Sequence, residues 1–345
     1  MKFNFFEQSP KFKKFEDYRN LDLSNSDFRD TPIDVLKTIE FDNQTRWPSQ
    51  DKMPDDFNPE IILESSKNPG LRLKELHEKG ITGKGISVAI IDQKLDVNHS
   101  EYSSNISNYE EIGKVDSEIS MHGPGVSSLL VGKKCGVAPE SNLYYKATPS
   151  GKNCNWNNQA EALNKIIEDN KKLEDKIRIV SCSLGYPNPD FKGDLFLYKK
   201  SIEEARKSGI IFVDSNTIFE SGFVGGGSFT NKDDFDTYEE WLFAQESKKD
   251  KKWIDGKIII PCDYRTIASS WNKKENGAKD GYEFQGQGGI SWSIPYLAGI
   301  FSLMLQVKSN LTMEEMIKIL KDTARANKNG LKIVDPQKAI ESINI

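Results

Sequence analysis

Three residues whose side chains can cooperate in nucleophilic catalysis occur along the chain in the order Asp92, His122 and Ser291. A serine hydroxyl is a weak nucleophile, so it needs a base to take its proton and a further group to hold that base in the right tautomer. An imidazole suits the first role because its pKa lies near neutral pH. These residue types therefore indicate nucleophilic catalysis if the fold brings them together.

The stretch around Ser291 predicts a buried helix that begins at the serine. Gly288 and Gly289 precede it, Pro295 follows four residues later, and an apolar run continues to Leu305. At a helix N-terminus the free N–H groups and the helix field favour negative charge on a reacting oxygen. A serine at a helix start can equally be an ordinary N-cap, and this stretch alone leaves that alternative open.

Asp92 and His122 also lie at the ends of predicted elements. Asp92 closes an apolar, strand-like run that starts at Ile86, and His122 opens a second apolar run. Taken singly, the aspartate could be a turn former and the histidine could satisfy a helix cap. A catalytic interpretation therefore depends on the context of all three residues.

The fold class follows from alternating patterns along the chain. Strand-like runs at residues 142–147, 177–183, 210–214 and 257–261 have helical patterns between them, at residues 157–173 and 195–208. Such alternation predicts an α/β fold with a mainly parallel central sheet and helices on both faces.

The sequence motifs around the three residues resemble those of the subtilisin-like serine proteases, also called subtilases or S8 peptidases. The first family motif is Asp-Ser/Thr-Gly, and this chain has Asp92-Gln93-Lys94 at that place. The second family motif is His-Gly-Thr-His-Val-Ala-Gly, and residues 122–128 of this chain are His-Gly-Pro-Gly-Val-Ser-Ser. In the third motif, Gly-Thr-Ser-Met-Ala-x-Pro, Ile290 and Trp292 replace Thr and Met. Residues 136–139 and 183–185 match two further motifs, and all five occur in the family's order.

The resemblance implies a subtilisin-like three-layer fold and a serine endopeptidase that acts on peptides or proteins through an acyl-enzyme intermediate. It assigns Ser291 as the nucleophile, His122 as the general base and then acid, and Asp92 as the group that orients His122. It also makes Ser183, Leu184 and Gly185 one wall of the substrate cleft, against which an extended peptide would pair as an added strand.

The oxyanion hole has a weaker match. The family places an asparagine after a strand and a small-residue run, and that segment is shorter here, so Asn216 is the nearest candidate. The Ser291 N–H would be the second donor. The resemblance also implies a structural calcium ion as a possible cofactor, but the sequence places no metal site and predicts no other cofactor.

A second function remains open because the wording around the triad is altered. The departures at Gln93, Lys94, Pro124, Gly125 and Ile290 are compatible with a pseudoprotease, a subtilisin fold that binds peptides or partners without catalysis. All three catalytic residues are nevertheless present, which favours the enzyme.

Composition restricts the partners and the location. The 345 residues carry a net charge of −5, and no basic surface predicts binding to nucleic acid. The N-terminal residues reach charge too early for a secretory signal, and the apolar run at residues 294–307 is too short and too punctuated to span a bilayer. We therefore expect a cytoplasmic protein with no membrane partner, and the sequence leaves its oligomeric state open.

Two parts of the chain are predicted, an N-terminal extension at residues 1–67 and a catalytic domain at residues 68–345. The extension is polar and charged but contains many aromatic residues, which disordered tails usually lack. We therefore expect it to pack on the catalytic domain. It could cover the cleft as an inhibitory segment or serve as a structural strap, and the absence of a marked cleavage site favours the strap.

Overall fold

The computed structural model describes residues 13–116, 118–226, 228–229, 236, 241–242, 256–270, 280–328 and 330–343. The helices of this part are α1 (Ile33–Leu36), α2 (Pro59–Ser65), α3 (Leu73–Glu78), α4 (His122–Val131), α5 (Trp156–Lys172), α6 (Leu195–Lys207), α7 (Ser215–Glu220), α8 (Ile290–Val307), α9 (Met313–Thr323) and α10 (Pro336–Ile343). Its strands are β1 (Glu40–Asp42), β2 (Ser87–Asp92), β3 (Ile106–Glu111), β4 (Asn142–Ala147), β5 (Ile177–Ser181), β6 (Ile211–Val213), β7 (Phe223–Gly226), β8 (Ser228–Phe229), β9 (Trp241–Leu242), β10 (Ile258–Pro261), β11 (Arg265–Ser269), β12 (Gly281–Gln285), β13 (Arg325–Ala326) and β14 (Lys332–Ile333).

The centre of the fold is a five-stranded parallel sheet in the order β3-β4-β2-β5-β6. Parallel strands need crossover connections, and α4, α5 and α6 supply three of them. Every residue of β2 is buried, as expected of a parallel strand that is covered on both faces. Smaller sheets have the orders β1-β12-β11, β13-β14-β10-β7 and β8-β9.

Helices cover both faces of the central sheet. Successive residues of a strand point to opposite faces, so one strand contributes to two cores. Val88 and Ile90 of β2 belong to the core that contains α4 and α8, whereas Ala89 and Ile91 belong to the core that contains α5 and α6. The predicted three-layer α/β fold with a mainly parallel sheet is confirmed.

One predicted boundary differs in a way that concerns the cleft. The strand expected over residues 177–183 ends at Ser181, where β5 stops. Three residues later the N–H of Leu184 donates to the carbonyl of Cys182 at 2.7 Å, which turns the chain away from the sheet. Ser183 and Leu184 therefore leave the sheet at its carboxyl edge.

Helix α8 is the most buried long helix of the described part. The helix has 18 residues and is long and apolar enough to cross a membrane, judged by length and composition alone. It is therefore longer than the apolar run at residues 294–307 that the sequence indicated. Yet 78% of this stretch is buried inside the protein, as in the core helix of a globular domain. Pro295 lies in its early turns, where backbone N–H groups have no helical acceptor to lose.

The described part of the N-terminal extension, residues 13–67, packs on the pair of strands β11 and β12. Strand β1 pairs antiparallel with β12, and Phe41 lies opposite Phe284. Phe41 is also in ring contact with Trp47 and Phe57. Phe41 and Phe284 belong to the same hydrophobic core as α8, so the extension and the rest of the chain bury one continuous apolar surface.

Polar contacts tie the extension to the same pair of strands. Arg19 pairs with Glu283 of β12 at 2.9 Å, and the Glu283 side chain is completely buried. The hydroxyl groups of Ser66 and Thr266 form a hydrogen bond of 2.8 Å. Because β12 leads directly into α8, these contacts hold the segment that precedes Ser291.

These contacts generate a stability prediction at Phe41, which is 1% exposed. Replacing Phe41 with Ala removes a ring from the core that the extension shares with β12, so we expect the free energy of unfolding to fall by about 3–5 kcal/mol. The measurement is denaturant unfolding followed by circular dichroism. The serine reactivity considered below should fall with stability.

Phe15 supplies the matched control, because it lies in the extension but is 36% exposed. Phe15→Ala should change stability by no more than about 0.5 kcal/mol. A Phe41→Ala variant with unchanged stability and higher activity would contradict the strap and favour an inhibitory extension.

Candidate active site

Asp92 lies at the carboxyl end of the central strand β2, where the neighbouring parallel strands also end. Asp92 is 7% exposed. The backbone N–H of Gln93 donates to its Oδ1 at 2.8 Å, and the N–H of Thr148 donates to its backbone carbonyl at 2.7 Å. The carboxylate is therefore held rigidly at the edge of the sheet where ligands bind in open α/β folds.

His122 is the first residue of α4, and a close backbone contact places it beside β2. At the next residue, Gly123, a Cβ atom would lie 2.8 Å from the carbonyl oxygens of both Gln93 and Lys94. Only glycine lets the start of α4 approach the chain after Asp92 this closely. The N–H of His122 donates to the Ser120 hydroxyl at 3.2 Å.

The imidazole of His122 lies 2.7 Å from Asp92, measured from Nδ1 to Oδ1. A carboxylate only accepts hydrogen bonds, so Nδ1 carries the hydrogen and the neutral ring keeps Nε2 as a free acceptor. Burial by itself would lower the pKa of His122, but the charge and the hydrogen bond of Asp92 outweigh it and raise that pKa above its usual value. The pair can therefore accept a proton at Nε2 and stabilise it.

Ser291 is the second residue of α8, whose N-cap is Gly289. Its carbonyl accepts a hydrogen bond from Ser183 Oγ at 2.8 Å, and the residue is half-buried. Within the described residues its hydroxyl has no hydrogen-bond partner, so it is not the N-cap of the helix. Its N–H belongs to the first turn, where backbone donors have no helical acceptor.

Ser293, two residues further on, is a different kind of serine. It is completely buried, and its hydroxyl donates to the carbonyl oxygens of Ile260 and Pro261 at 3.1 and 3.2 Å. Ser293 therefore joins α8 to β10, whereas the Ser291 hydroxyl is left available.

A cavity of about 160 Å³ opens beside the Asp92–His122 pair. Its lining includes Asp92 and His122 together with Ser183 and Leu184, two of the predicted substrate-binding residues. Gly185, the third, is packed against Ser215: a Cβ atom on this glycine would lie 3.1 Å from the Ser215 Cβ. The predicted cleft wall and two members of the predicted triad thus meet at one edge of the sheet.

Part of the chain is similar in sequence to known proteins. Residues 83–219 match the model of the subtilase family, a segment that contains Asp92, His122 and the predicted cleft wall but not Ser291. The chain is therefore similar to the subtilase family over less than half of its length. It is 30% identical over 155 residues to the major intracellular serine protease of Bacillus subtilis, which covers 41% of this chain and 46% of that protein. The chain thus matches about half the length of this curated relative.

Solved structures of two proteases have a similar fold. The prenylagaramide maturation protease PagA superposes with a TM-score of 0.51 at 16% identity, over 79% of this chain and 98% of that one. A protease from Pseudoalteromonas arctica superposes with a TM-score of 0.56 at 16% identity, over 83% and 98% of the two chains. At this identity the likeness concerns the fold alone.

The cavity has a polar wall that sequence reasoning missed. Gln159 of α5 is 5% exposed and donates from Nε2 to the Thr148 hydroxyl at 2.9 Å. The Thr148 hydroxyl in turn donates to the backbone carbonyl of Asp92 at 3.3 Å. Because this hydroxyl uses its hydrogen there, it can only accept from Gln159, which fixes the orientation of the Gln159 side-chain amide. The helical pattern of α5 identified Gln159 only as a helix residue, because the contact joins two separate elements.

Asn216, the predicted oxyanion residue, lies in the first turn of α7. Its Oδ1 accepts from the Tyr186 N–H at 2.8 Å, and its Nδ2 donates to the Tyr186 carbonyl at 2.8 Å. The amide therefore holds the chain just after the cleft wall at residues 183–185. One of its two Nδ2–H groups has no partner within the described residues.

The metal ligands that the sequence left unassigned are still unassigned. Over the residues described, no group of three or more His, Cys, Asp or Glu side chains is arranged to hold an ion. The four cysteines, Cys135, Cys154, Cys182 and Cys262, are free thiols.

The raised pKa of His122 generates a pH prediction. Below that pKa the ring is an imidazolium that cannot take a proton, so serine reactivity should rise with pH through a midpoint above 6.5, the ordinary imidazole value. Asp92→Asn removes the carboxylate that raises the pKa, so the midpoint should fall while the maximal rate drops roughly 10⁴-fold. The measurement is the rate of labelling by a fluorophosphonate as a function of pH. A wild-type midpoint at or below 6.5 would contradict the role of Asp92.

Proposed function

We propose that this protein is a serine endopeptidase that hydrolyses peptide bonds in peptides or proteins. The observation that carries the proposal is the 2.7 Å hydrogen bond between His122 Nδ1 and the Asp92 carboxylate, beside a helix whose first turn contains Ser291. The ring of Trp292, the residue after Ser291, lies 5.3 Å from the His122 ring between centroids. The serine therefore belongs to the same corner of the structure as the pair.

In the proposed mechanism the Ser291 oxygen attacks the carbonyl carbon of the scissile bond while Nε2 of His122 takes the hydroxyl proton. The tetrahedral intermediate collapses, the C–N bond breaks, and His122 gives the proton to the leaving amine. Water then attacks the acyl-enzyme, with His122 again as the base, and releases the acid product. Asp92 keeps the imidazole in the required tautomer and stabilises its charged form.

The negative oxygen of the tetrahedral intermediate needs donors. The Ser291 N–H in the first turn of α8 is one, since such groups have no helical acceptor and the helix field favours negative charge there. The remaining Nδ2–H of Asn216 is the second proposed donor.

We also propose that the enzyme works in the cytoplasm. The similarity to a protease named as intracellular supports this location.

The nucleophile can be tested without knowledge of the substrate. A fluorophosphonate probe forms a covalent bond only with an activated serine, so we expect it to attach to Ser291 of the wild-type chain. Ser291→Ala should abolish labelling while the melting temperature stays the same, because the half-buried hydroxyl makes no hydrogen bond in the described part. The measurement is mass spectrometry of the labelled peptide.

Ser293→Ala is the matched control, and this variant should keep the label at Ser291 as long as it folds. Attachment at Ser293 would refute the assignment. A well-folded wild-type chain that takes no label would instead favour the pseudoprotease, a subtilisin fold that binds peptides without cleaving them.

The oxyanion donor is tested at Asn216. If its Nδ2–H stabilises the intermediate, Asn216→Ala should lower kcat about 10²–10³-fold with little change in KM. The measurement is steady-state hydrolysis of a fluorogenic peptide. Because Asn216 also holds Tyr186, a purely structural role would misplace the cleft wall, raise KM and leave kcat nearly unchanged. That second result would remove Asn216 from the mechanism.

A further inference from the structure

Trp292 has a contact that neither the fold nor the triad requires. Its indole lies against the His122 ring with centroids 5.3 Å apart and the planes inclined by 31°. The residue is 4% exposed, so water hardly reaches this contact. The two rings are thus inclined neighbours, and the indole side of the contact is shielded from water.

Two glycines on separate segments leave the space that the indole occupies. A Cβ atom at Gly125 of α4 would lie 2.9 Å from Cη2 and Cζ3 of Trp292, and one at Gly288 would lie 2.8 Å from Cδ1. Both distances are too short for real atoms, so Trp292 can occupy its site only while residues 125 and 288 have no side chain. The same Cβ atom at Gly125 would also meet Ile267 of β11 at 2.8 Å.

We propose that Trp292 is a positioning residue for His122, which it holds at the Asp92 carboxylate with its indole face while the π electrons stabilise the protonated ring. This role rests on the proposed serine chemistry. An aromatic face attracts a cation, and Trp does so more strongly than Phe or Tyr, most of all where the pair is shielded from water. Because Trp292 follows Ser291 in the chain, the same residue couples the position of the nucleophile to that of its base.

The charges around His122 allow this contribution to be separated from that of Asp92. The carboxylate acts on Nδ1 of the ring, whereas the Trp292 indole is an uncharged ring 5.3 Å away between centroids and inclined by 31°. Lys94, which follows Asp92 by two residues, is paired with Glu111 at 3.7 Å. The thiols of Cys154 and Cys182 line the neighbouring cavity. Substituting Trp292 leaves all of these groups in the chain.

The test is the titration of His122 by NMR in the full-length chain, which contains only three histidines. His99 is completely buried and His77 bonds to the Val137 carbonyl at 2.9 Å, so their signals differ from that of His122, which a His122→Ala variant identifies. Trp292→Met removes the aromatic face but keeps an adaptable apolar side chain. We expect the midpoint of His122 to fall by about 0.5 to 1 pH unit in this variant.

Two further variants make the result specific. Trp292→Phe restores a smaller aromatic face, so its midpoint should lie between those of the Met variant and the wild type. Trp47→Met is the matched control, because this indole packs on Phe28, Phe41 and Phe57 in the N-terminal extension, and its loss should leave the midpoint unchanged. If the Trp292→Met chain does not fold, the Phe variant decides by the same comparison with the wild type.

Labelling by a fluorophosphonate supplies the second readout. A base that is no longer held in place should slow labelling of Trp292→Met roughly tenfold or more at the optimal pH, whereas Trp292→Phe should recover part of the rate. A wild-type chain that takes no label would defeat the proposed function itself. If the wild type takes the label and the His122 midpoint is the same in all Trp292 variants, only the role of Trp292 is overturned.

Discussion

The close contact between α4 and α8 is the constraint on which the proposed site depends. His122 is the first residue of α4 and Ser291 the second residue of α8, so each proposed catalytic group lies at the end of a rigid, buried element. The relative position of the two side chains is therefore set by how closely the helices approach, and not by a loop. Side chains on packed helices are held more accurately than those on loops, which is what proton transfer between them requires.

That approach is possible because small residues lie at the points of contact. Gly125 of α4 faces the Trp292 indole of α8, and Gly299 of α8 faces Val137 in the chain that follows α4, where a Cβ atom would lie 2.8 Å from a methyl carbon. Gly123 plays the corresponding part between α4 and the chain after β2. A methyl group at any of these positions would move one element away from the other. The geometry of the site is thus a consequence of core packing and not of surface residues.

The elements that position the site could be predicted from local patterns, because burial on a strand or helix leaves a periodic signal. The apolar runs ending at Asp92 and beginning at His122 correspond to β2 and α4. The pairing of β1 with β12 could not be predicted, since it joins residues 40–42 to residues 283–285 and leaves no local pattern. The bond between Asn216 and Tyr186 was missed for the same reason.

The departures from the family motifs have a physical explanation that does not require loss of catalytic activity. At Gln93 and Lys94 the contacts with α4 are made by backbone carbonyls, which every residue type has. Pro124 lies in the first turn of α4, where a missing N–H costs no helical hydrogen bond. Gly125 and Trp292 complement each other, a small residue on one helix making room for a large one on the other. Three of these departures therefore keep the backbone contacts and helix start that place His122 beside Asp92, and the Gly125–Trp292 pair brings a second ring against His122.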